Sequence, residues 1–403
     1  YDRWKSIVTC VIEKEPGNPK IHRIRIIHIY EANYSLLMGI QWTRALRNAM
    51  EKKTLNQGLH GAVPGHESKT PVYMETLKYD ICHMTRKPLV NIDHDAVACY
   101  DRILPNLSSL LSRKQGIHRN VVFVHGKTLE NARYYLKTAL GVTDSFYQHC
   151  VAFPIYGTGQ GATNSPGIWV FVSSALFDAF ETRANGAHFC SPDKNTSISI
   201  FMIGFVDDGQ NSTNDFYAPV PPTPDMLIQA SEYDAQLWAD LLWQSGGALE
   251  LTKCSYHVIS FNFDATGKPT PRLSPLLPHM YIKDPKTGKQ IPLRQLSLFQ
   301  PHETLGHFKS PSCQNKTQAA KLHKKSRNFA RRVSTHPLRR HAAKAMYDCV
   351  FLKSMGYVLG QCSYEKKTLD DIQRCGTRAF VRKCGYNANM AHEIIYGPYE
   401  MGA

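Results

Sequence analysis

The stretch Phe201-Met202-Ile203-Gly204-Phe205-Val206-Asp207-Asp208 carries the decisive reading. Phe201 to Phe205 is mostly apolar and predicts a buried strand. Two carboxylates follow at once. Asp in a turn is ordinarily explained by its side chain bonding nearby backbone N–H groups. This pair, however, emerges straight from a core strand. Adjacent like charges beside a core are costly unless a cation neutralises them. Residues 197–204 and 209–212 are predicted as the strands flanking the acidic turn.

Upstream, Ile92-Asp93-His94-Asp95 leads into Ala96-Val97-Ala98-Cys99-Tyr100-Asp101, and the apolar run over 89–93 predicts a buried strand. Carboxylates are hard oxygen ligands suited to magnesium. Two or three of them, arriving from separate strands, can hold two magnesium ions roughly 3.5–4 Å apart, which stabilises both oxygens of an in-line phosphoryl displacement. Asp95 and Asp207 are the candidates to supply them. Asp264, between Phe263 and the Thr266-Gly267-Lys268 segment, reads as a plain turn.

Between the two acidic segments lies Tyr156-Gly157-Thr158-Gly159-Gln160-Gly161-Ala162-Thr163-Asn164-Ser165-Pro166. Its glycines let backbone approach a ligand closely, and Gln160 supplies one amide. Ser165 is predicted as a helix N-cap with Pro166 at the next position, opening a helix that runs to residue 182.

Elsewhere, residues 4–29 predict a β-hairpin around a Pro/Gly break at 15–19, with Lys14 ending the first strand and Arg23 and Arg25 on the second. Helical periodicity is predicted over 34–52, 70–84, 104–113, 127–140 and 226–244. Residues 146–153 read as part of a hairpin, 219–224 as a Pro-rich loop, and 249–263 as strand-rich with Lys253 inside. Residues 317–334 form an amphipathic basic helix, followed by helices over 342–357 and 368–381. The last opens with a capping-box pattern at Thr368.

The chain has 403 residues and a formal net charge of +15. That length predicts roughly two to three domains. From Pro301 onward there are 18 Lys/Arg against 7 Asp/Glu. A basic last quarter reads as an electrostatic footprint for phosphates. The eleven cysteines contain no C-x-x-C pair, which argues against a zinc site or a disulfide framework and for a reducing, intracellular compartment. No apolar run reaches the roughly 18–20 residues of a membrane span. A first residue of Tyr1 points to a fragment of a longer polypeptide.

Taken in order, these segments resemble a reverse transcriptase of the non-LTR (LINE-like) retrotransposon type. Asp95-Ala-Val-Ala-Cys-Tyr100-Asp101 is similar to the family's D-x-x-x-A-F-D motif, with Cys99 and Tyr100 departing from it. Gly159-Gln160-Gly161 with Ser165-Pro166 resembles Q-G-x-x-x-S-P, and Phe205-Val206-Asp207-Asp208 resembles the Y/F-x-D-D box. Leu249-Glu250-Leu251-Thr252-Lys253 loosely resembles G-L-x-L-N-x-x-K, and Thr304-Leu305-Gly306 resembles the Y-L-G primer grip. His60 to His66 resembles Q-x-G-F-R-P-G, with Ala62 and Val63 departing; Arg25-Ile26-Ile27-His28-Ile29 resembles R-P-I-S-L, with Ile26 in place of Pro. The tail from Tyr396 to Gly402 is similar to the segment that often comes next in such elements.

The resemblance implies an α+β, right-hand polymerase fold: fingers over 1–88, a palm whose antiparallel sheet carries the Asp residues over 89–310, and a helical basic thumb and extension over 311–403. It implies an RNA-directed DNA polymerase, part of a retrotransposon polyprotein, that uses two Mg2+ ions, with Mn2+ as a substitute. Its partners would be an RNA template, a DNA primer and deoxynucleoside triphosphates, with no membrane. Asp95, Asp207 and Asp208 would be catalytic and hold the metals. Lys14 and Arg25, with Arg23 as the alternative to Arg25, would contact the triphosphate, an Arg fork suiting phosphate oxygens. Tyr100 would exclude a 2′-hydroxyl, Gln160 would contact the nascent pair, and Lys253 would lie near the leaving pyrophosphate. Leu305 and Gly306 would form the primer grip. Lys321, Lys324, Arg327 and Arg331 would track the template–primer backbone.

Three other readings stand beside this one. A catalytically decayed relative that only binds nucleic acid is compatible with the departures at Ile26, Ala62, Val63 and Cys99. A group II intron-type maturase is a near relative. A viral RNA-dependent RNA polymerase fits less well, since Val206 stands where Gly is usual and Tyr100 supplies a bulky ring.

Overall fold

The structure is a computed structural model. It describes residues 2–397 apart from 15, 16, 19, 21–23, 98, 154–156, 215–222, 274–278, 388, 392, 393, 395 and 396. Arg23, much of the first hairpin's turn, most of the Pro-rich loop and nearly all of the 396–402 tail therefore lie outside the described residues.

The chain is mixed α+β and divides into two units, Tyr1–Pro71 with Thr85–Ser297, and Val72–Met84 with Leu298–Ala403. In chain order the elements begin with β1 (Ser6–Glu13), β2 (Ile24–Ile29), α1 (Ala32–Glu51), α2 (Lys69–Thr85), β3 (Leu89–Asp95), α3 (Cys99–Arg102), α4 (Pro105–Lys114) and α5 (Arg119–Glu130). Next come β4 (Arg133–Thr138), β5 (Gly141–Tyr147), α6 (Ser165–Glu181), β6 (Ala187–Cys190), β7 (Ser197–Ile200), β8 (Met202–Phe205), β9 (Asp208–Thr213) and α7 (Pro224–Gln244). Short strands come after: β10 (Ser255–Ile259), β11 (Phe261–Phe263), β12 (Pro269–Pro271), β13 (Tyr281–Lys283), β14 (Gln290–Pro292), β15 (Arg294–Leu296), β16 (His302–Thr304) and β17 (His307–Lys309). The chain closes with α8 (Lys316–Thr335), α9 (Arg340–Met346), a π-helical stretch (Tyr347–Leu352), α10 (Lys353–Leu359) and α11 (Lys366–Lys383).

The first unit holds two main sheets. One has the order β2-β1-β4-β5 and the other β15-β10-β3-β9-β8. In the second sheet, β3 is antiparallel to both β9 and β10. Side chains alternate across a strand, and β3 uses that alternation to sort its chemistry. Val90 and Ile92 join a core with Leu227, Ile228, Ala235 and Ala239 of α7. Asn91, Asp93 and Asp95 take the other face, opposite Ser212, Gln210 and Asp208. There Gln210 Nε2 donates to Asp93 Oδ1 at 2.8 Å and Ser212 Oγ donates to Asn91 Oδ1 at 2.8 Å. Helix α6 is mostly apolar and buried along most of its length, as expected of a helix inside a core.

Buried polar groups hold this unit together. Asp234 on α7 is fully buried and accepts from Asn185 N at 2.8 Å, Asn185 Nδ2 at 2.9 Å, Gly186 N at 3.3 Å and Thr213 Oγ1 at 2.8 Å. His125 on α5 lies 2.6 Å from Tyr34 Oη through Nδ1, and burial pushes its pKa down to about 4. A His with a folded pKa below its unfolded one stabilises the fold above the unfolded pKa and loses that contribution as pH falls through the folded one. Between pH 6.5 and about 4 this one group is expected to remove about 3 kcal/mol, at about 1.4 kcal/mol per unit. Urea melts across this interval check it: His125→Gln is expected to flatten the pH dependence, and an unchanged slope would refute the assignment.

Several local expectations are corrected. Residues 127–140 are not one helix: α5 ends at Glu130 and β4 begins at Arg133. Tyr134 and Tyr135 pair with Tyr147 and Phe146 across β5, and such aromatic cross-strand pairs favour the sheet. Strand pairing over 197–204 breaks at Phe201, between β7 and β8. Lys253 lies in the turn before β10, not within a strand. Helix α11 starts three residues earlier than its capping-box pattern, with Glu365 and not Thr368 at the N-cap.

The second unit packs α8 against α11 around Leu322, Phe329, Val333, Tyr347, Phe351 and Ile372. The apolar positions of α8 recur at helical spacing, leaving Lys324, Arg327 and Arg331 exposed on another face. No helix among the described residues is long and apolar enough to cross a membrane.

Candidate active site

The acidic turn is a two-residue hairpin: Phe205 of β8 pairs with Asp208 of β9, leaving Val206 and Asp207 at the tip. Val206 has a φ of 59°, a rare conformation for a β-branched residue. Contacts to the turn and to the strand before it hold it there. Trp169 Nε1 donates to Val206 O at 2.5 Å. His60 N donates to Gly204 O at 2.9 Å and Gly204 N to Gly58 O at 2.8 Å, so the 58–60 segment runs beside β8. Gly61 abuts the turn so closely that a Cβ there would lie 2.3 Å from Val206 N. The His60–His66 loop thus buttresses the acidic turn.

Asp208 stands directly opposite Asp95 in the β3–β9 register. The backbone ties continue past the strand end: Ala96 N donates to Asp207 O at 3.3 Å and Glu250 N to Asp95 O at 2.9 Å. The second tie brings the 249–253 turn to the site. Lys253 Nζ then lies 3.3 and 3.2 Å from the two oxygens of Asp95. Both groups are well exposed, so the ion pair adds little to stability. Its meaning is positional, because a cation already occupies the carboxylate's open side.

Asp207 keeps an exposed edge, yet the surrounding protein excludes enough water to raise its carboxyl above the usual range. Its own backbone N–H lowers it, Asp95 raises it further, and Arg25 and Lys253 lower it. Asp95, Asp207, Arg25 and Lys253 therefore share one electrostatic neighbourhood. Cys99 and Tyr100 border it: burial chiefly, then Asp207, pushes the Cys99 thiol up to about 12, while burial, Cys99 and Asp207 push the Tyr100 phenol up.

The Gly-rich loop docks onto α3. Thr158 N and Oγ1 donate to Tyr100 O at 2.8 and 3.2 Å, and Gln160 N donates to Asp101 Oδ1 at 3.2 Å. On its other side, His28 N of β2 donates to Gln160 O at 2.8 Å. Gly161 has a φ of +118°, and a Cβ there would meet His28 O at 2.2 Å. Only glycine fits this position. Ser165 does not cap α6. Asn164 is the N-cap residue, and the Ser165 hydroxyl donates back to Thr158 O at 2.9 Å and Gly159 O at 2.8 Å. The serine therefore clamps the loop that presents Gln160.

Of the remaining candidates, Lys14 is exposed just beyond β1. Leu305 and Gly306 form the β16–β17 turn in the second unit, with φ of 50° and 81°. Tyr357 Oη donates to Leu305 O at 2.9 Å. Lys321 is engaged within that unit, through an ion pair with Glu303 and a 3.3 Å hydrogen bond to Gly306 O. Lys324, Arg327 and Arg331 are exposed.

Asp95 makes the Asp207 charge unfavourable, an imbalance that a cation would relieve and that Arg25 and Lys253 partly offset. Among the described residues no group of three or more His, Cys, Asp or Glu side chains is arranged to hold a metal ion. The reading of residues in isolation missed Trp169, Gly58 and Gly61, which position the turn, and the Gln210–Asp93 pair beneath it. The glycine spacing at 58 and 61 was the available signal for the buttress.

No family model matches the chain, and no curated protein matches it. Among solved structures it is similar to apo telomerase from Candida tropicalis truncated from the C-terminal domain, at 14% identity and TM-score 0.43, over 67% of this chain and 55% of that one. It is also similar to C. tropicalis telomerase in complex with a TWJ fragment of telomeric RNA, at 13% and 0.42, over 96% of this chain and 60% of that one. Candida albicans telomerase, with the same kind of RNA fragment, gives 11% and 0.40 over 96% and 60%. The chain spans less than two thirds of each of these telomerases. At such scores the likeness carries no weight for activity.

Proposed function

We propose that this chain is an RNA-directed DNA polymerase, a reverse transcriptase of the non-LTR retrotransposon type, extending a DNA primer along an RNA template. The observation that carries the reading is the meeting of Asp95 and Asp207, from separate elements, with Lys253 and Arg25 in the same electrostatic neighbourhood. Phosphoryl transfer depends mostly on positioning and charge neutralisation. Magnesium held by Asp95 and Asp207 would lower the pKa of the primer 3′-hydroxyl and neutralise the leaving pyrophosphate. Lys253, released from Asp95, supplies an ammonium to the pyrophosphate side, and Arg25 supplies a fork for phosphate oxygens. Asp208 lies opposite Asp95 and adds negative charge at the strand end. Gln160 is held by its backbone between β2 and α3, and its amide would contact the nascent pair. Lys324, Arg327 and Arg331 track the nucleic-acid backbone, giving salt-sensitive affinity.

Tyr100 acts as the sugar gate in this reading. Tyr100→Ala is expected to narrow the preference for dNTPs over rNTPs by about 10- to 100-fold, the scale set by steric discrimination in a pocket. Single-nucleotide incorporation with each substrate measures it. An unchanged ratio would remove Tyr100 from that role, and a wild-type preference for rNTPs would defeat the reverse-transcriptase reading.

A binding-only descendant is the second reading, favoured by the seat Lys253 takes on Asp95. Primer extension on an RNA template separates the two. The full chain is expected to incorporate dNTPs in Mg2+; negligible and equal incorporation by wild type and Asp207→Ala would sink the polymerase proposal.

A further inference from the structure

The second unit contains a cavity of about 350 Å³ bounded by α2, the end of β17, the start of α8 and the loop before α11. Lys309 lines it and is 5% exposed. Its ammonium donates to Gln361 O at 2.5 Å and takes part in no ion pair among the described residues. An ammonium carries three N–H donors. With one neutral acceptor it keeps two donors for a ligand in the cavity, and an anion there would supply the ion pair that it lacks.

The rest of the wall describes the molecule to which that anion belongs. Gln361 belongs to the wall and holds Lys309 through its backbone carbonyl. Asn315, also on the wall, is the N-cap residue of α8 but does not cap it; its Nδ2 donates to Ser363 O at 3.3 Å instead. The positive end of a 20-residue helix thus faces the same space as Lys309. Tyr73, 51% exposed, offers a ring on which a base can stack. Asp80, the carboxylate of the lining, is exposed and accepts from the Cys313 thiol at 3.3 Å. It disfavours a bare anion and suits a ligand with hydroxyl or amino donors.

We propose that this cavity binds a phosphate monoester of a nucleoside, with the phosphate on Lys309 and the sugar or base donors toward Asp80. A free nucleotide and the 5′-phosphorylated end of a strand offer the same chemistry. None of the lining residues belongs to the Asp95–Asp207 site, and the proposal does not depend on the polymerase reading.

Calorimetric titration of the full chain in EDTA, with AMP, adenosine, orthophosphate and a short RNA carrying or lacking a 5′-phosphate, tests it. AMP is expected to bind at least about tenfold more tightly than adenosine, and Lys309→Met is expected to weaken AMP by about 10- to 100-fold, the scale of hydrogen bonds to a charged group. Lys309→Arg is expected to retain most of the affinity. Binding confined to the phosphorylated RNA, and lost in Lys309→Met, assigns the site to a strand end. Should Lys309→Met fail to fold, displacement of AMP by orthophosphate in the wild-type chain, followed through the heat of AMP binding, carries the test. Equal affinity for AMP and adenosine, undiminished binding to folded Lys309→Met, or no binding of any phosphorylated probe overturns the proposal.

Discussion

Asp207→Asn is expected to lower nucleotide incorporation by at least about 10³-fold, because a carboxylate that holds a metal supplies several kcal/mol of charge stabilisation in the transition state. The same change is expected to leave the protein at least as stable in EDTA at neutral pH. Both effects follow from one position. Desolvation and the neighbouring Asp95 raise the Asp207 carboxyl. A carboxyl whose folded pKa is raised costs the native state stability wherever the unfolded group is ionised, so removing the charge relieves the fold. Asn keeps the shape, while Trp169 and the 58–61 buttress keep the turn in place. Primer extension paired with thermal melts in EDTA checks both halves. A variant that is inactive and also melts well below wild type would place Asp207 in the scaffold. A variant that remains active would remove it from the chemistry.

The sequence made the acidic turn, its strands and most helices legible because each rests on local chemistry. Apolar periodicity marked α1, α7 and α8, and strand-terminal acids marked β3 and β8. The failures share a cause, namely that they depend on partners distant in sequence. Residues 127–140 carried a helical pattern, but β4 is drawn into a sheet by β1, with Ser6 beside Arg133 in a parallel ladder. Ser165 has a good capping residue's chemistry, yet the returning loop offers its hydroxyl two carbonyls. Lys253 sits in a turn because Glu250 N is bonded to Asp95 O, and no local pattern reveals that bond. Val206 could not be read as a left-handed residue at all, since its side chain argues against one.

Asp234→Ala is expected to destabilise the first unit by about 3–5 kcal/mol, the cost of breaking a buried charged network by removing one partner. Burial raises the Asp234 carboxyl, and the donors from Asn185, Thr213 and Gly186 act against that rise. Removal would leave Thr213 Oγ1, both Asn185 donors and Gly186 N facing a hole, and a buried donor left unsatisfied costs about 1–3 kcal/mol. The loss has a directional consequence. Asp234 ties α7 to Thr213, the last residue of β9, and β9 begins with Asp208. Loosening that end frees the strand whose register sets Asp208 opposite Asp95. Activity should therefore fail at a lower temperature than in the wild type while remaining near normal in the cold. Thr213→Val, which deletes one donor, is expected to cost about 1 kcal/mol, and Asp234→Asn should fall between the two. Urea melts of the three variants establish the order. A loss below about 1 kcal/mol for Asp234→Ala would mean that water satisfies these donors and that α7 is held to the sheet by apolar packing alone.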